Sequence, residues 1–245
     1  MKKLLVGCLL VTLMLAVAGC ERHKAAVNAK GQPITGAKGD SIARLQDAGN
    51  VLNEIMNAPD SSIPAEVLAS AKCVAVVPEM VKGGFVLGAK HGRGVATCRT
   101  GNGWSAPAFF TVTGGTWGAQ IGVEAVDLVM LIMNDKGMQD LLSSNFHLGG
   151  EAGVAAGPVG REASANTDWK LKAEVLTYSR TRGLFAGLDL SGASIRPDDD
   201  STGAFYGRNY DFRSVLTGQV KAPADANTFL SSVRKNFVEA KATTD

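Results

Sequence analysis

Of the residue types in this 245-residue chain that can do defined chemistry, the four cysteines are the most informative. Cys20 closes the run Val17-Ala18-Gly19-Cys20, where small side chains admit a peptidase to the backbone and the thiol accepts a diacylglycerol. Lys2 and Lys3 precede a 15-residue apolar or small stretch at 4–18. A hydrocarbon core takes ~20 residues to span, so this stretch has the length of a secretory signal instead. The chain is therefore expected to be a bacterial lipoprotein with a signal peptide at 1–19, a lipidated flexible tether at 20–39 and one folded domain at 40–245. Glu21 stands where an inner-membrane lipoprotein often carries aspartate, which points to the outer membrane, facing the periplasm. Cys8 falls in the signal, leaving Cys73 and Cys98 as an even pair in an oxidising compartment. A disulfide between them is expected to add ~3–4 kcal/mol on the chain-entropy model; two buried, apolar free thiols are the alternative.

The remaining candidates are weaker. His23, His91 and His147 have no second histidine or cysteine at ligand spacing, so no zinc site is expected. Neither a nucleophile elbow nor a phosphate-binding loop occurs, and Gly114-Gly115-Thr116-Trp117-Gly118 lacks the lysine that reaches phosphate. Asp198-Asp199-Asp200-Ser201-Thr202-Gly203 starts like a calcium loop, but the twelfth position is Asn209 where a bidentate glutamate belongs. It reads as a solvated acidic loop. Glu124 and Asp127 are the only acids set in a long apolar run, and an enzyme would have to use them. No cofactor is expected. Lys82, Lys90 and Arg93 surround Gly84-Phe-Val-Leu-Gly88, while Arg180 and Arg182 precede the similar Gly183-Leu-Phe-Ala-Gly187. If these segments are neighbouring strands, five positive charges share one surface suited to phosphate headgroups; otherwise they are solvated strand ends. Without residues 1–19, which hold two lysines and no acid, the formal charge falls from +2 to 0. A neutral domain argues against a nucleic-acid partner.

The elements that must position these residues follow from hydrophobic period. Ile42, Leu45, Ala48, Gly49, Leu52, Ile55 and Met56 form one helical stripe, with Asp40 or Ser41 as cap and Pro59 as stop. Pro64 opens a short helix to about residue 71, and residues 135–144 make another. Between and beyond lie apolar, glycine-punctuated runs at 73–77, 84–90, 94–99, 108–113, 116–123, 125–133, 168–180 and 183–190. Lys90-His91-Gly92-Arg93 and Thr100-Gly101-Asn102-Gly103 are read as turns. The run 125–133 is expected to be a central strand buried on both faces, and 169–180 alternates like a strand with one wet face. Phe229, Leu230, Val233 and Phe237 mark a last amphipathic helix. Glycine inside strands argues for bulges and sharp bends. The class is α+β and β-dominated, a strongly curved antiparallel sheet or partly closed barrel with N-terminal and C-terminal helices packed on it.

Several motifs occur in order: PEMVKGGFVLGAKHGRGV at 78–95, Trp104-Ser105-Ala106-Pro107, Gly118-Ala-Gln-Ile-Gly122, Gly157-Pro-Val-Gly-Arg161, Ser179-Arg-Thr-Arg-Gly-Leu-Phe-Ala-Gly187 and Phe205-Tyr206-Gly207. Together they closely resemble the SYLF domain family, across about residues 42–217. The resemblance implies a non-enzymatic module that binds phosphoinositides and membranes and, in some eukaryotic members, actin. Lys82, Arg180 and Arg182 stand inside matching motifs and inherit the candidacy for anionic headgroups. An amphipathic first helix also contributes in eukaryotic members, but here its only base is Arg44, against Asp47 and Glu54, so its stripe is expected to pack on the sheet. A structural or protein-binding role in the envelope is the alternative function.

Overall fold

The computed structural model describes residues 36–58, 62–143, 146–149, 153–159, 173–181, 184–185 and 190–242. Cys20, the tether as far as residue 35 and Arg182 lie outside them, while residues 37–39, read as the end of the tether, form the start of α1. Six α-helices are described, α1 (Ala37–Met56), α2 (Ala65–Ser70), α3 (Asp135–Leu141), α4 (Asp199–Tyr206), α5 (Phe212–Leu216) and α6 (Asn227–Ala242). The strands are β1 (Cys73–Thr100), β2 (Gly103–Trp104), β3 (Ala108–Ile132), β4 (Phe146–His147), β5 (Val154–Ala156), β6 (Val175–Thr181), β7 (Leu184–Phe185) and β8 (Ser194–Pro197). They form one eight-stranded, strongly curled sheet, a half-barrel, in which only the β5–β6 pair is parallel. The expected α+β architecture is the observed one.

Two strands dominate. The separate runs read between 73 and 99 are one 28-residue strand, and those between 108 and 133 are one 25-residue strand. They pair from Cys73↔Ile132 to Ala96↔Ala108 as a single long ribbon. The glycines bend this ribbon without breaking it, with register shifts between Val77 and Met80 and between Gly84 and Val86. The bend brings β1 back against itself. Arg99 N donates to Lys72 O at 2.7 Å, and a disulfide joins Cys73 to Cys98 with Cα atoms 4.0 Å apart. Lys90-His91-Gly92-Arg93 is consequently strand and not a turn. Gly92 is small because a Cβ there would lie 2.5 Å from Val77 Cγ1, and one on Gly94 would lie 2.8 Å from Val76 O. Close approach of two strand halves selects the same residue that turns select.

Alternation then builds two cores, one on each face. Val74, Val76, Val95, Phe109, Val129 and Leu131 point to α1, α2, α4 and α6. Their neighbours Ala75, Val77, Ala96, Phe110, Leu128 and Met130 point the other way, to α3 and α5. Strand β6 serves both, with Leu176 and Tyr178 in the first core and Val175 in the second. Its buried run Val175–Ser179 therefore lacks the wet face expected from the pattern at 169–180.

Helix α1 starts earlier than its candidate caps. Gly36, at φ 78°, occupies the cap position without a side-chain bond. Asp40 lies in the first turn, where a carboxylate opposes the positive end of the helix dipole, and Ser41 Oγ donates to Ala37 O at 2.9 Å. Ile42, Leu45, Ala48, Leu52 and Ile55 are buried, as a packed stripe requires. Alongside, α6 runs parallel to α1: Asn53 Nδ2 donates to Ser232 Oγ at 3.1 Å, and Asn236 Nδ2 to Asn53 Oδ1 at 2.9 Å.

Candidate functional site

Of the five cations singled out in the sequence, the four that are described do not form one patch. Strand β3 lies between β1 and β6, so the two glycine-patterned segments are not neighbours. Lys82 is opposite Glu124 in the ladder, and their charged ends are 3.6 Å apart. Arg180 bonds Glu54 of α1 and has Asp127 at 3.8 Å. Lys90 is buried, its Nζ donating to Ser191 O at 3.4 Å. Arg182 is outside the described residues. Arg93 stands apart, with a side chain 49% exposed against 16% for Lys82 and 15% for Arg180.

Arg93 belongs to a second cluster that involves Arg44, Asp198 and Ser201. Asp198 caps α4, accepting from Ser201 N at 3.0 Å. The acidic run is thus a helix start and not a loop, and the sequence reading is corrected there. Arg44 donates to Asp198 Oδ2 and to Ser201 Oγ, both at 3.0 Å, while its guanidinium lies 5.4 Å from the Phe109 ring centre. Arg93 donates to Ser201 Oγ at 2.8 Å and to Asp198 Oδ2 at 3.4 Å. Burial pushes the Asp198 carboxyl up, but bonds from Ser201 and Arg44 outweigh it and hold the group below the usual carboxylate range.

Register adds a residue that the sequence reading missed. Arg93 pairs with Thr111, and Thr111 pairs with Arg196 of β8. Directly paired residues share a face, so Arg93 and Arg196 stand two strands apart in one row, ~10 Å between backbones. Arg196 is exposed. Its spacing along the chain from Arg93 carries no such signal, because the row exists only once β8 docks on β3.

Glu124 and Asp127 do not face one cleft. An odd separation along β3 puts them on opposite faces, Glu124 beside Lys82 and Asp127 beside Arg180. Burial pushes the Asp127 carboxyl up, against the opposing bond from Glu79 N at 3.0 Å. That bond holds the bulge at Glu79, a non-glycine residue with φ 46°. Asp127 thus shapes the ribbon. Among the described residues no His/Cys/Asp/Glu group is arranged to hold a metal ion, and no helix is long and apolar enough to cross a membrane.

Comparison with known proteins gives consistent matches. The family model described as "Ysc84: Las17-binding protein actin regulator" matches residues 113–236, just over half of the chain. SH3 domain-containing YSC84-like protein 1 of Rattus norvegicus is 36% identical over 185 residues, covering 75% of this chain and 54% of the relative. The Homo sapiens protein of the same name is 35% identical over the same length and shares. Protein YSC84 of Saccharomyces cerevisiae is 34% identical over 182 residues, 73% of this chain and 38% of the relative. The chain spans about half the length of the mammalian relatives and less of the yeast one.

Proposed function

Because this chain belongs to the Ysc84, or SYLF, domain family, we propose that it is a non-catalytic, lipid-binding lipoprotein of the cell envelope. Cys20 carries the anchor to the outer membrane, and the domain faces the periplasm and contacts anionic headgroups. The observation that carries the headgroup reading is the row Arg93–Thr111–Arg196, two exposed arginines on one face of the sheet. Guanidinium forks match phosphate oxygens geometrically as well as in charge. Arg93 also has Asp198 at 3.4 Å but keeps an exposed side chain, whereas those of Lys82 and Arg180 lie largely covered beside their acids and contribute less; Arg182 stays a candidate. The two or three acyl chains on Cys20 supply residence at the membrane, which leaves the domain to supply selectivity.

Co-sedimentation of residues 20–245, carrying Cys20→Ser, with vesicles of neutral or mixed anionic lipid tests this. The expected result is a preference for anionic vesicles that declines with salt, and an approximately tenfold loss of that preference in Arg93→Ala/Arg196→Ala. Equal binding to both vesicle types at low salt overturns it.

A second reading, a protein-binding module of the envelope, is favoured by the family description, which names Las17 binding and actin regulation. A stoichiometric protein retained from envelope extract, with vesicle binding absent, would select it.

A further inference from the structure

The bend of the β1–β3 ribbon has a face that no described element covers. Strand β3 is paired on its outer side with β8 at 110–113 and with β6 at 127–132; between these, β1 is its only partner among the described residues. A Cβ built on Gly115 would meet nothing nearer than Gly88 O at 4.0 Å. Along β3 the residues on the face toward α1 are Leu131, Val129, Asp127, Ala125 and Val123. The helical layer ends at the Glu54–Arg180–Asp127 contacts, and the apolar row continues past it. Val81 pairs with Ala125 and Gly83 with Val123, so these four share that face. Val81 is 47% and Val123 80% exposed, and they are the only exposed large hydrophobic residues among those described. Segments 83–89 and 114–123 contain no charged residue, and Phe85, Leu87, Trp117 and Ile121 belong to them. Of the charges that flank these segments, Lys82 and Glu124 lie on the opposite face and neutralise each other, and Lys90 is buried with its Nζ donating to Ser191 O.

We propose that this ribbon bend is the element of the domain that enters the membrane interface, with lipid as its occupant. The inference deepens the lipid-binding reading above and rests on it. Area and charge select the occupant. Seven residues of a two-stranded ribbon present roughly 200 Å² per face, well short of the ~800 Å² per partner in a standard protein interface. A bilayer sets no such threshold, since the anchor supplies a high local concentration. Val81, Gly83, Val123 and Ala125 give an uncharged strip on this face, within segments of uncharged sequence, as the interfacial zone requires. The edge of β3 between 114 and 126, unpaired among the described residues, favours a position near water, so insertion stops at the interface. Headgroup selection then comes from Arg93 and Arg196, and retention from the bend.

The two contributions separate with salt. At about 1 M salt the screening length is ~3 Å, so the preference for anionic vesicles disappears while residual binding to neutral and anionic vesicles persists. Val81→Ser/Val123→Ser, made in residues 20–245 with Cys20→Ser, is expected to lower that residual binding about tenfold and to leave the thermal midpoint unchanged. Val123→Trp is expected to add emission that shifts blue on vesicles and is quenched by brominated lipid. Residual binding unaffected by the double substitution, with the emission added by Val123→Trp unshifted, overturns the bend and leaves headgroup binding standing. A missing anionic preference with residual binding intact does the reverse. No binding of the unsubstituted chain to either vesicle overturns both, whereas a dimer in sedimentation velocity that the double substitution dissolves overturns the bend alone.

Discussion

Asp198 is a single carboxylate with three duties: it caps α4, receives Arg44, and orders Ser201 for Arg93. Its side chain is 9% and that of Arg44 7% exposed, so removing one partner leaves a poorly hydrated charge. Asp198→Asn is expected to cost about 3 kcal/mol in denaturant unfolding. The pH dependence has a definite direction. An acid held below its unfolded pKa contributes stability at higher pH and gives it up as pH falls through the folded value. The wild-type thermal midpoint should therefore decline below about pH 4, and Asp198→Asn should show a shallower acid limb; an unchanged limb counts against the role. Glu79 offers the opposite sign. A left-handed non-glycine residue costs ~1–2 kcal/mol, while glycine returns ~0.4–1 kcal/mol in unfolded-state entropy. With φ 46° at this site, Glu79→Gly is expected to gain about 0.5 kcal/mol by urea titration.

At the scale of elements, the bent ribbon depends on side chains that are absent. A methyl at Gly94 would lie 2.4 Å from Phe110 Cζ and 2.8 Å from Val76 O, and the second contact is backbone that cannot swing aside. Gly94→Ala should cost at least ~2 kcal/mol, read as a lower midpoint with the fold retained. Legibility in the sequence divides along this line. The stripe of α1 and the two-sided burial around Val129 follow from local period, and both are readable. The meaning of Gly92 is not, because a turn and a strand-on-strand contact ask for the same small residue. Charges mislead for a related reason: Lys82 meets Glu124 across a ladder, and Arg180 meets a residue of α1 at 126 positions' distance. Register and docking decide those pairs, and neither leaves a mark on nearby sequence. Arg196 is invisible for the same cause, whereas the expectation at Cys20 rests on local chemistry and needs no register.

For the whole molecule, the two cores share one sheet, and β1 contributes to both while also touching itself. The contacts between the two halves of β1 form only once the ribbon has zipped and folded over, so its ordering entropy must be met before they are gained. This sets a tempo. Refolding of the oxidised chain should be slower than that of helical domains of similar size, in the millisecond-to-second range of β-rich proteins. The bond between Cys73 and Cys98, 25 positions apart, ties together the two halves that have to find one another. Cys73→Ala/Cys98→Ala is expected to lose ~3 kcal/mol, with stopped-flow refolding slowed more than unfolding is accelerated. A loss confined to the unfolding rate would mean that the fold-over comes after the barrier. For a chain exported as proposed, this makes the order of events consequential: oxidation after the ribbon forms turns a slow, reversible search into a latch, and the domain reaches its membrane already closed.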